Sequence, residues 1–182
     1  MKKTCIVLVG APCSGKSTIG KLTALKMNIG YISSGDIARE MAKTDMQIDN
    51  TLSSGGMAPE DKMRSAIYNK LWYSLIKKDR DTVILDGFPR FGDQAEWLYD
   101  ILPHNIGIKY VLFDVRLQVI IERSDKRNRS DDKSLLQRLK YYYDTTYKDL
   151  SKYVDITIDA NEDAVDKCSE LLINYIKEVS NG

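Results

Sequence analysis

Eight residues near the start of the chain, Gly10-Ala-Pro-Cys-Ser-Gly-Lys-Ser17, constrain its fold more than any other feature. They follow a short apolar run, Thr4–Val9, and lead into a helical pattern, Ser17–Met27. A G-x-x-x-x-G-K-S/T spacing held between a buried strand and an amphipathic helix is the context that makes it a phosphate-binding loop. Phosphate charge has to be met without bulk. The loop supplies backbone N–H groups, the positive end of a helix dipole and one ammonium, Lys16, while the Ser17 hydroxyl is placed to ligate Mg²⁺. A glycine-rich turn that merely caps a helix leaves the flanking strand and helix unexplained. Taken alone, the loop means nucleoside triphosphate binding, and it leaves GTPases, ATPases, small-molecule kinases and nucleotide switches open.

Strand and helix signals alternate along all 182 residues, with no internal repeat or low-complexity linker, which predicts one α/β domain built on a parallel sheet. Thr4–Val9, Thr82–Asp86, Lys109–Asp114 and Tyr153–Ile158 read as strands buried on both faces, and Tyr31-Ile32 as a fifth. Helices are expected over Ser17–Met27, Gly35–Lys43, Pro59–Lys78, Asp93–Ile101, Leu117–Lys126, Lys133–Leu150 and Glu162–Val179. In such sheets ligands bind beyond the carboxyl ends of the strands, so the segments after each strand carry the function.

Composition removes several classes of partner. With 27 Lys plus Arg against 26 Asp plus Glu, the net charge of +1 gives no bulk attraction to nucleic acid or to an anionic membrane. The longest apolar run, Cys5 to Val9, falls far short of a bilayer span. Three cysteines, Cys5, Cys13 and Cys168, match neither a disulfide framework nor a zinc pattern. A cytoplasmic location in a reducing compartment is expected. The lone histidine, His104, sits in a Pro-His-Asn turn and reads as a surface residue; Tyr141-Tyr-Tyr143 points three ways around a helix and reads as core and flank, not as a stacking platform.

Three further segments narrow the class. Ile32-Ser-Ser-Gly-Asp-Ile-Ala-Arg39 ends in an arginine whose planar fork suits two phosphate oxygens at once. Val83-Ile-Leu-Asp86-Gly87-Phe-Pro-Arg90 ends a buried strand in a carboxylate, which is costly there unless it meets a cation. Gln94 follows four residues after Arg90, and a carboxamide donates and accepts at once, as reading a purine edge requires. Arg123, Arg127 and Arg129, interleaved with Asp125, Asp131 and Asp132 and followed by Arg138, form a cluster that repels itself unless polyanions or carboxylates sit among it.

Read with the loop, these segments resemble the adenylate kinase family of nucleoside monophosphate kinases over nearly the whole chain. The resemblance implies a three-layer P-loop fold in one domain, 1–182, with a five-stranded parallel sheet. It also implies a helical monophosphate-binding insert at about 33–62 and a short lid at about 123–130. The γ-phosphoryl of Mg-ATP would pass reversibly to a monophosphate, most simply AMP, in a monomer that binds neither nucleic acid nor membrane. ATP would be held by Cys13, Ser14, Gly15, Lys16, Ser17, Thr18, Arg123, Arg127 and the main chain around Glu162. The monophosphate would be held by Ser34, Gly35, Arg39, the backbone of Gly56, Met57 and Ala58, and by Gly87, Phe88, Arg90, Gln94, Arg129 and Arg138. Lys16, Arg90, Arg123, Arg129 and Arg138 would meet the charge of the moving phosphoryl group. Ser17 and Asp86 would hold Mg²⁺, partly through water, and Asp131 and Asp132 would orient the lid arginines. Transfer would use no side-chain nucleophile, since the acceptor's own phosphate oxygen attacks.

Departures from the family pattern matter for the acceptor. Cys13 stands where the family usually has glycine, either as a tolerated small residue or as a thiol whose oxidation or alkylation would block the site. Ser17-Thr18 replaces Gly-Thr after the lysine, and Ser34 replaces the usual threonine. Five residues between Arg123 and Arg129 make a short lid, a length shared by eukaryotic cytosolic adenylate kinases and UMP/CMP kinases. Gln94 favours a purine, since UMP/CMP kinases tend to carry asparagine there. Two alternatives remain open: a small-metabolite kinase, a class without the Asp-Gly-Phe-Pro-Arg run, and an ATP-binding regulator that does not turn over.

Overall fold

Apolar, β-branched runs become strands where the pattern puts them. The computed structural model describes residues 3–127, 135–162 and 164–181. Strands β1 (Thr4–Gly10), β2 (Gly30–Ser33), β3 (Thr82–Asp86), β4 (Gly107–Asp114) and β5 (Val154–Asp159) form one parallel sheet in the order β2-β3-β1-β4-β5. All of β1 and β3 is buried, as strands covered on both faces should be. The expectation of full burial does not hold for β5. It lies at the sheet's edge, and its Asp155, Thr157 and Asp159 face solvent in alternation with Val154, Ile156 and Ile158. The fifth strand extends beyond Tyr31-Ile32 to Gly30–Ser33.

Nine helical segments are described: α1 (Lys16–Met27), α2 (Ser34–Ala42), α3 (Met46–Ser53), α4 (Glu60–Trp72), α5 (Gly92–Ile101), α6 (Leu117–Arg127), α7 (Leu135–Tyr141), α8 (Tyr147–Leu150) and α9 (Val165–Asn181). A π turn, Tyr73–Lys77, prolongs α4, and another, Tyr142–Thr146, joins α7 to α8, so over the described residues, from Leu135 in the second case, both long helices expected there are continuous but locally widened. Helix α9 begins at Val165 instead of Glu162. The sequence pattern did not suggest α3, which Asp45 caps by accepting from the backbone of Gln47 and Ile48 at 3.1 and 3.3 Å. Among the described residues, no helix is long and apolar enough to cross a membrane.

The chain steps from β1 out to β2, returns to β3, then crosses β1 to reach β4 and β5. Its direction of travel thus reverses beside β1, where open parallel sheets form their ligand crevice. Helix α1 lies close over that point because Gly20 has no side chain: a Cβ there would stand 2.6 Å from Leu8 Cδ1. Helix α9 packs on α1, with the buried hydroxyls of Thr23 and Ser169 2.9 Å apart.

Candidate active site

The turn between β1 and α1 is shaped by what it lacks. A Cβ on Gly10 would meet Ser14 Oγ at 2.8 Å and the Phe113 carbonyl oxygen at 3.1 Å, so the strand must end in glycine. Gly15, at φ 88°, enters α1 from the left-handed region, which glycine adopts freely. Cys13 is left-handed too, at φ 61°, although it carries a side chain. Lys16, half-buried, donates to the Ala11 carbonyl at 3.3 Å. Burial lowers its pKa first of all; Asp86 works against that, and Arg90 and Arg138 add to it by repulsion. Ser17 and Thr18 are exposed at the start of α1.

Asp86 ends β3 almost fully buried, at 3% exposure. One oxygen, Oδ2, accepts from Ser17 Oγ at 2.6 Å and from the Tyr31 hydroxyl at 2.7 Å. The other, Oδ1, is buried without a hydrogen-bond partner among the described residues. An unpartnered carboxylate oxygen in that position costs free energy unless a cation or a water meets it. A Mg²⁺ ion fits this donor set, since it takes one or two protein oxygens and fills the rest of its shell with water and phosphate oxygens.

Past Asp86 the chain turns through Gly87, at φ 77°, where a Cβ would lie 2.6 Å from Ser34 Oγ. Gly87 is expected among the groups that hold the monophosphate; within the protein itself, its bare Cα makes room for Ser34. Phe88 turns into the core, 3% exposed and edge-on to Trp97 at 5.7 Å, which leaves only its main chain to face a nucleotide. Arg90 is clamped on both sides of its chain: Nε donates to the Gly87 carbonyl at 3.0 Å, and its backbone N–H donates to Gln94 Oε1 at 2.8 Å. The Gln94 carboxamide, buried at 6% exposure, therefore fixes the arginine turn with an oxygen that has a second lone pair to offer. Burial depresses the Arg90 guanidinium most and Arg138 depresses it further, so Lys16, Arg90 and Arg138 are close enough to repel one another. A residue that the motifs did not flag lies here. Tyr141, on α7 with Arg138, has a buried hydroxyl with no hydrogen-bond partner among the described residues. Its pKa is raised by burial, against the pull of Arg90, and its ring stands edge-on to Phe91 at 5.9 Å.

The segment between β2 and β3 is built differently. Ser33 caps α2 by accepting from the Asp36 backbone at 3.1 Å, and Ser34 is buried with its hydroxyl unpartnered among the described residues. Arg39 is exposed; its guanidinium stands 3.4 Å from where a Gly35 Cβ would be and pairs with Asp36 at 2.5 Å. Lys21 reaches the same carboxylate at 3.0 Å. Although partial burial pushes the Asp36 pKa up, hydrogen bonds from Arg39 and Lys21 bring it below the usual range. Gly55, at φ 82°, ends α3, and Gly56 donates to the Thr51 carbonyl at 2.8 Å. Gly56 and Met57 are exposed and Ala58 is half-buried in the loop that follows.

Arg123, on α6, spans two loops. One guanidinium nitrogen donates to the Glu162 carbonyl at 2.9 Å, the other to the Ser14 carbonyl at a long 3.4 Å. The Glu162 carbonyl thus has a protein partner before any adenine arrives. Arg129, Asp131 and Asp132 lie outside the described residues, as does the Arg127 side chain. His104 is exposed in its turn, and of the three consecutive tyrosines Tyr142 is buried and Tyr143 exposed, as expected of core and flank.

The described geometry thus brings Lys16, Ser17, Asp86, Arg90 and Arg138 to the carboxyl edge of the sheet. Comparison with known proteins agrees with this chemistry. The family model described as "Adenylate kinase" matches residues 8–158. An adenylate kinase of Mycobacterium sp. (strain MCS) is 33% identical over 158 residues, covering 81% of this chain and 84% of the relative. One from Chlamydia trachomatis serovar D is 28% identical, covering 86% and 83%. One from Mesomycoplasma hyopneumoniae (strain 7448) is 36% identical, covering 67% of this chain and 57% of the relative. The α/β sheet, the phosphate loop and these relatives together make the protein a phosphotransferase acting on nucleoside monophosphates, and the chain belongs to the adenylate kinase family.

Proposed function

We propose that the protein transfers the γ-phosphoryl group of ATP reversibly to AMP, giving two ADP. The observation that carries this reading is the convergence of Lys16, Arg90 and Arg138 beside one buried carboxylate, Asp86. Burial disfavours the charges of Lys16 and Arg90, Arg138 adds positive charge beside them, and two nucleotides with a phosphoryl group in transit supply the negative charge that such a cluster attracts. The loop from Gly10 to Ser17 would cradle the β- and γ-phosphates of ATP, with Arg123 closing over Ser14. Arg90 and Arg138 would neutralise the phosphoryl group as it crosses. Ser17 and Asp86 would hold Mg²⁺, which would supply positive charge to the triphosphate. Arg39 would release Asp36 or share it, and grip the acceptor phosphate.

AMP is favoured over a pyrimidine acceptor by the buried Gln94 and by the names of the relatives. The donor–acceptor edge of a purine matches a carboxamide that still has an NH₂ and one lone pair to offer. Residues about 33–62 would act as the monophosphate-binding insert and about 123–130 as the lid, in a cytoplasmic monomer whose three cysteines form no disulfide among the described residues. The deciding experiment is nucleotide chromatography of reactions containing Mg-ATP and, separately, AMP, UMP, CMP, GMP, dAMP and dTMP, with Arg90→Ala alongside. ADP formed from AMP, and lost in the variant, supports the reading. Preferential use of a pyrimidine monophosphate keeps the chemistry and overturns the acceptor.

A further inference from the structure

We infer that Tyr31 is a positioning residue for the metal-binding carboxylate: its hydroxyl fixes the rotation of Asp86, so that Oδ1 alone is presented to the cation. The inference rests on the reading of Asp86 as a Mg²⁺ residue and adds to it a side chain that no motif contains. The sheet register pairs Tyr31 with Ile84 and Ser33 with Asp86. Because side chains alternate along a strand, Tyr31 and Asp86 lie on one face of the sheet, two positions apart. The phenol bridges that offset and donates to Oδ2 at 2.7 Å.

Two features separate this contact from ordinary satisfaction of a buried acid. First, both donors to Asp86 land on the same oxygen, Ser17 at 2.6 Å and Tyr31 at 2.7 Å, while Oδ1 stays buried and unpartnered among the described residues. One carboxylate oxygen thus carries both donors and the other is left clear. Second, the two donors have different futures. Ser17 lies at the start of α1, in the loop that would cradle the nucleotide, so its hydroxyl would have to leave Asp86 to ligate the cation. Tyr31 comes from β2, and its ring is wedged under α1. A Cβ on Gly20 would stand 3.1 Å from Tyr31 Cε2, and the Lys21 ammonium lies 5.7 Å from the ring centroid. Its grip therefore persists whether or not the nucleotide is present. Partners of this kind, which orient a ligating group without touching the ion, typically change metal affinity by about 10–100-fold when removed.

Tyr31→Phe keeps the ring and deletes only the donor. The experiment is isothermal titration with ATP in Mg²⁺ and again in EDTA, no acceptor being present, on the wild type, Tyr31→Phe and Asp86→Asn, with thermal melting of each protein in EDTA. The ratio of the two ATP affinities isolates what the ion adds. We expect Tyr31→Phe to shrink that ratio by about tenfold and to leave metal-free ATP binding within twofold of wild type. A ratio unchanged in Tyr31→Phe but collapsed in Asp86→Asn overturns the inference, and a lowered melting temperature beside it assigns the hydroxyl to stability alone. A ratio unchanged in Asp86→Asn overturns the parent reading of Asp86, and the role of Tyr31 falls with it.

Discussion

The two flanks of the site are made of different material. On the triphosphate side, the loop and Asp86 hang from β1 and β3, whose every residue is buried, and the close fits at Gly10 and Gly20 leave no room for a methyl group. On the proposed acceptor side, α3 buries only Ile48, the pairs Arg39–Asp36 and Lys43–Glu40 are exposed within α2 and its cap, and Lys62–Asp45, which joins α4 to the N-cap of α3, is half-exposed. Exposed ion pairs contribute little to stability, whereas a strand packed on both faces opens only with the whole domain. On the proposed reading the contrast becomes a division of labour: the charges of Lys16 and Arg90, assigned to the moving phosphoryl group, are held by buried strands and their loops, and Arg39, assigned to the acceptor, is exposed on α2 beside a helix that buries one residue.

Removing the central cation of the rigid flank is the severest test. Lys16→Met is expected to lower kcat by about 10³-fold or more without unfolding the protein, because a fixed donor to developing phosphoryl charge is lost. A coupled assay reads the rate and circular dichroism the fold; a loss below tenfold would mean that the loop binds the triphosphate without serving the transfer. Next comes a matched pair of core truncations. Ile84→Ala, in β3, should cost roughly 3 kcal/mol and lower the melting temperature by about 6–12 °C. Ile48→Ala, in α3, should instead speed amide exchange within about 46–53 and raise KM for the acceptor, while the slowest sheet amides keep their rates. Equal loss of sheet protection in both variants would break the comparison, since the flanks would then unfold as one unit.

What the sequence revealed follows the same division. β1, β3, the phosphate loop and the Asp-Gly-Phe-Pro-Arg turn are legible because each is a local signal: an apolar β-branched run, or glycines at fixed offsets where a backbone must turn left-handed or approach closely. Helix α3 was not legible, since one buried residue in two turns leaves no periodicity to see. Tyr31 and Tyr141 were missed for another reason. The hydrogen bond of Tyr31 to Asp86 and the nearness of Tyr141 to Arg90 join residues 55 and 51 positions apart and exist only once the sheet and α7 are assembled. Phe88 shows the converse: a residue inside the most recognisable motif whose ring belongs to the core.

On the looser flank, Arg39→Ala should raise KM for the monophosphate by roughly 30-fold, from about 2 kcal/mol of lost charge-assisted hydrogen bonding, and change kcat far less. Initial-rate kinetics at saturating ATP separate the two constants. A fall in kcat as large as the rise in KM would place Arg39 with Arg90 among the groups acting on the transfer itself, and would narrow the difference between the flanks.

The smallest effect expected is at Cys13, a non-glycine residue that the phosphate loop holds in the left-handed region. A non-glycine residue at φ 61° carries a backbone cost of about 1–2 kcal/mol that glycine would remove. Glycine in turn brings extra freedom to the unfolded chain, a cost of about 0.5–1 kcal/mol, and gives up the burial of the thiol. The two nearly cancel, so Cys13→Gly should move the melting temperature by no more than about 3 °C and leave kcat within threefold. The same variant tests the thiol. Cys5, its pKa pushed up to about 12 by burial, and Cys168, raised first by burial as well, are held as unreactive thiols. Inactivation of the wild type by N-ethylmaleimide should therefore be slow, because Cys13 is itself buried, should be retarded by ATP, and should be absent from Cys13→Gly. Inactivation that persists in the variant would show that the reagent reaches a core thiol through opening of the sheet, which would put the supposedly rigid flank among the mobile parts of the molecule.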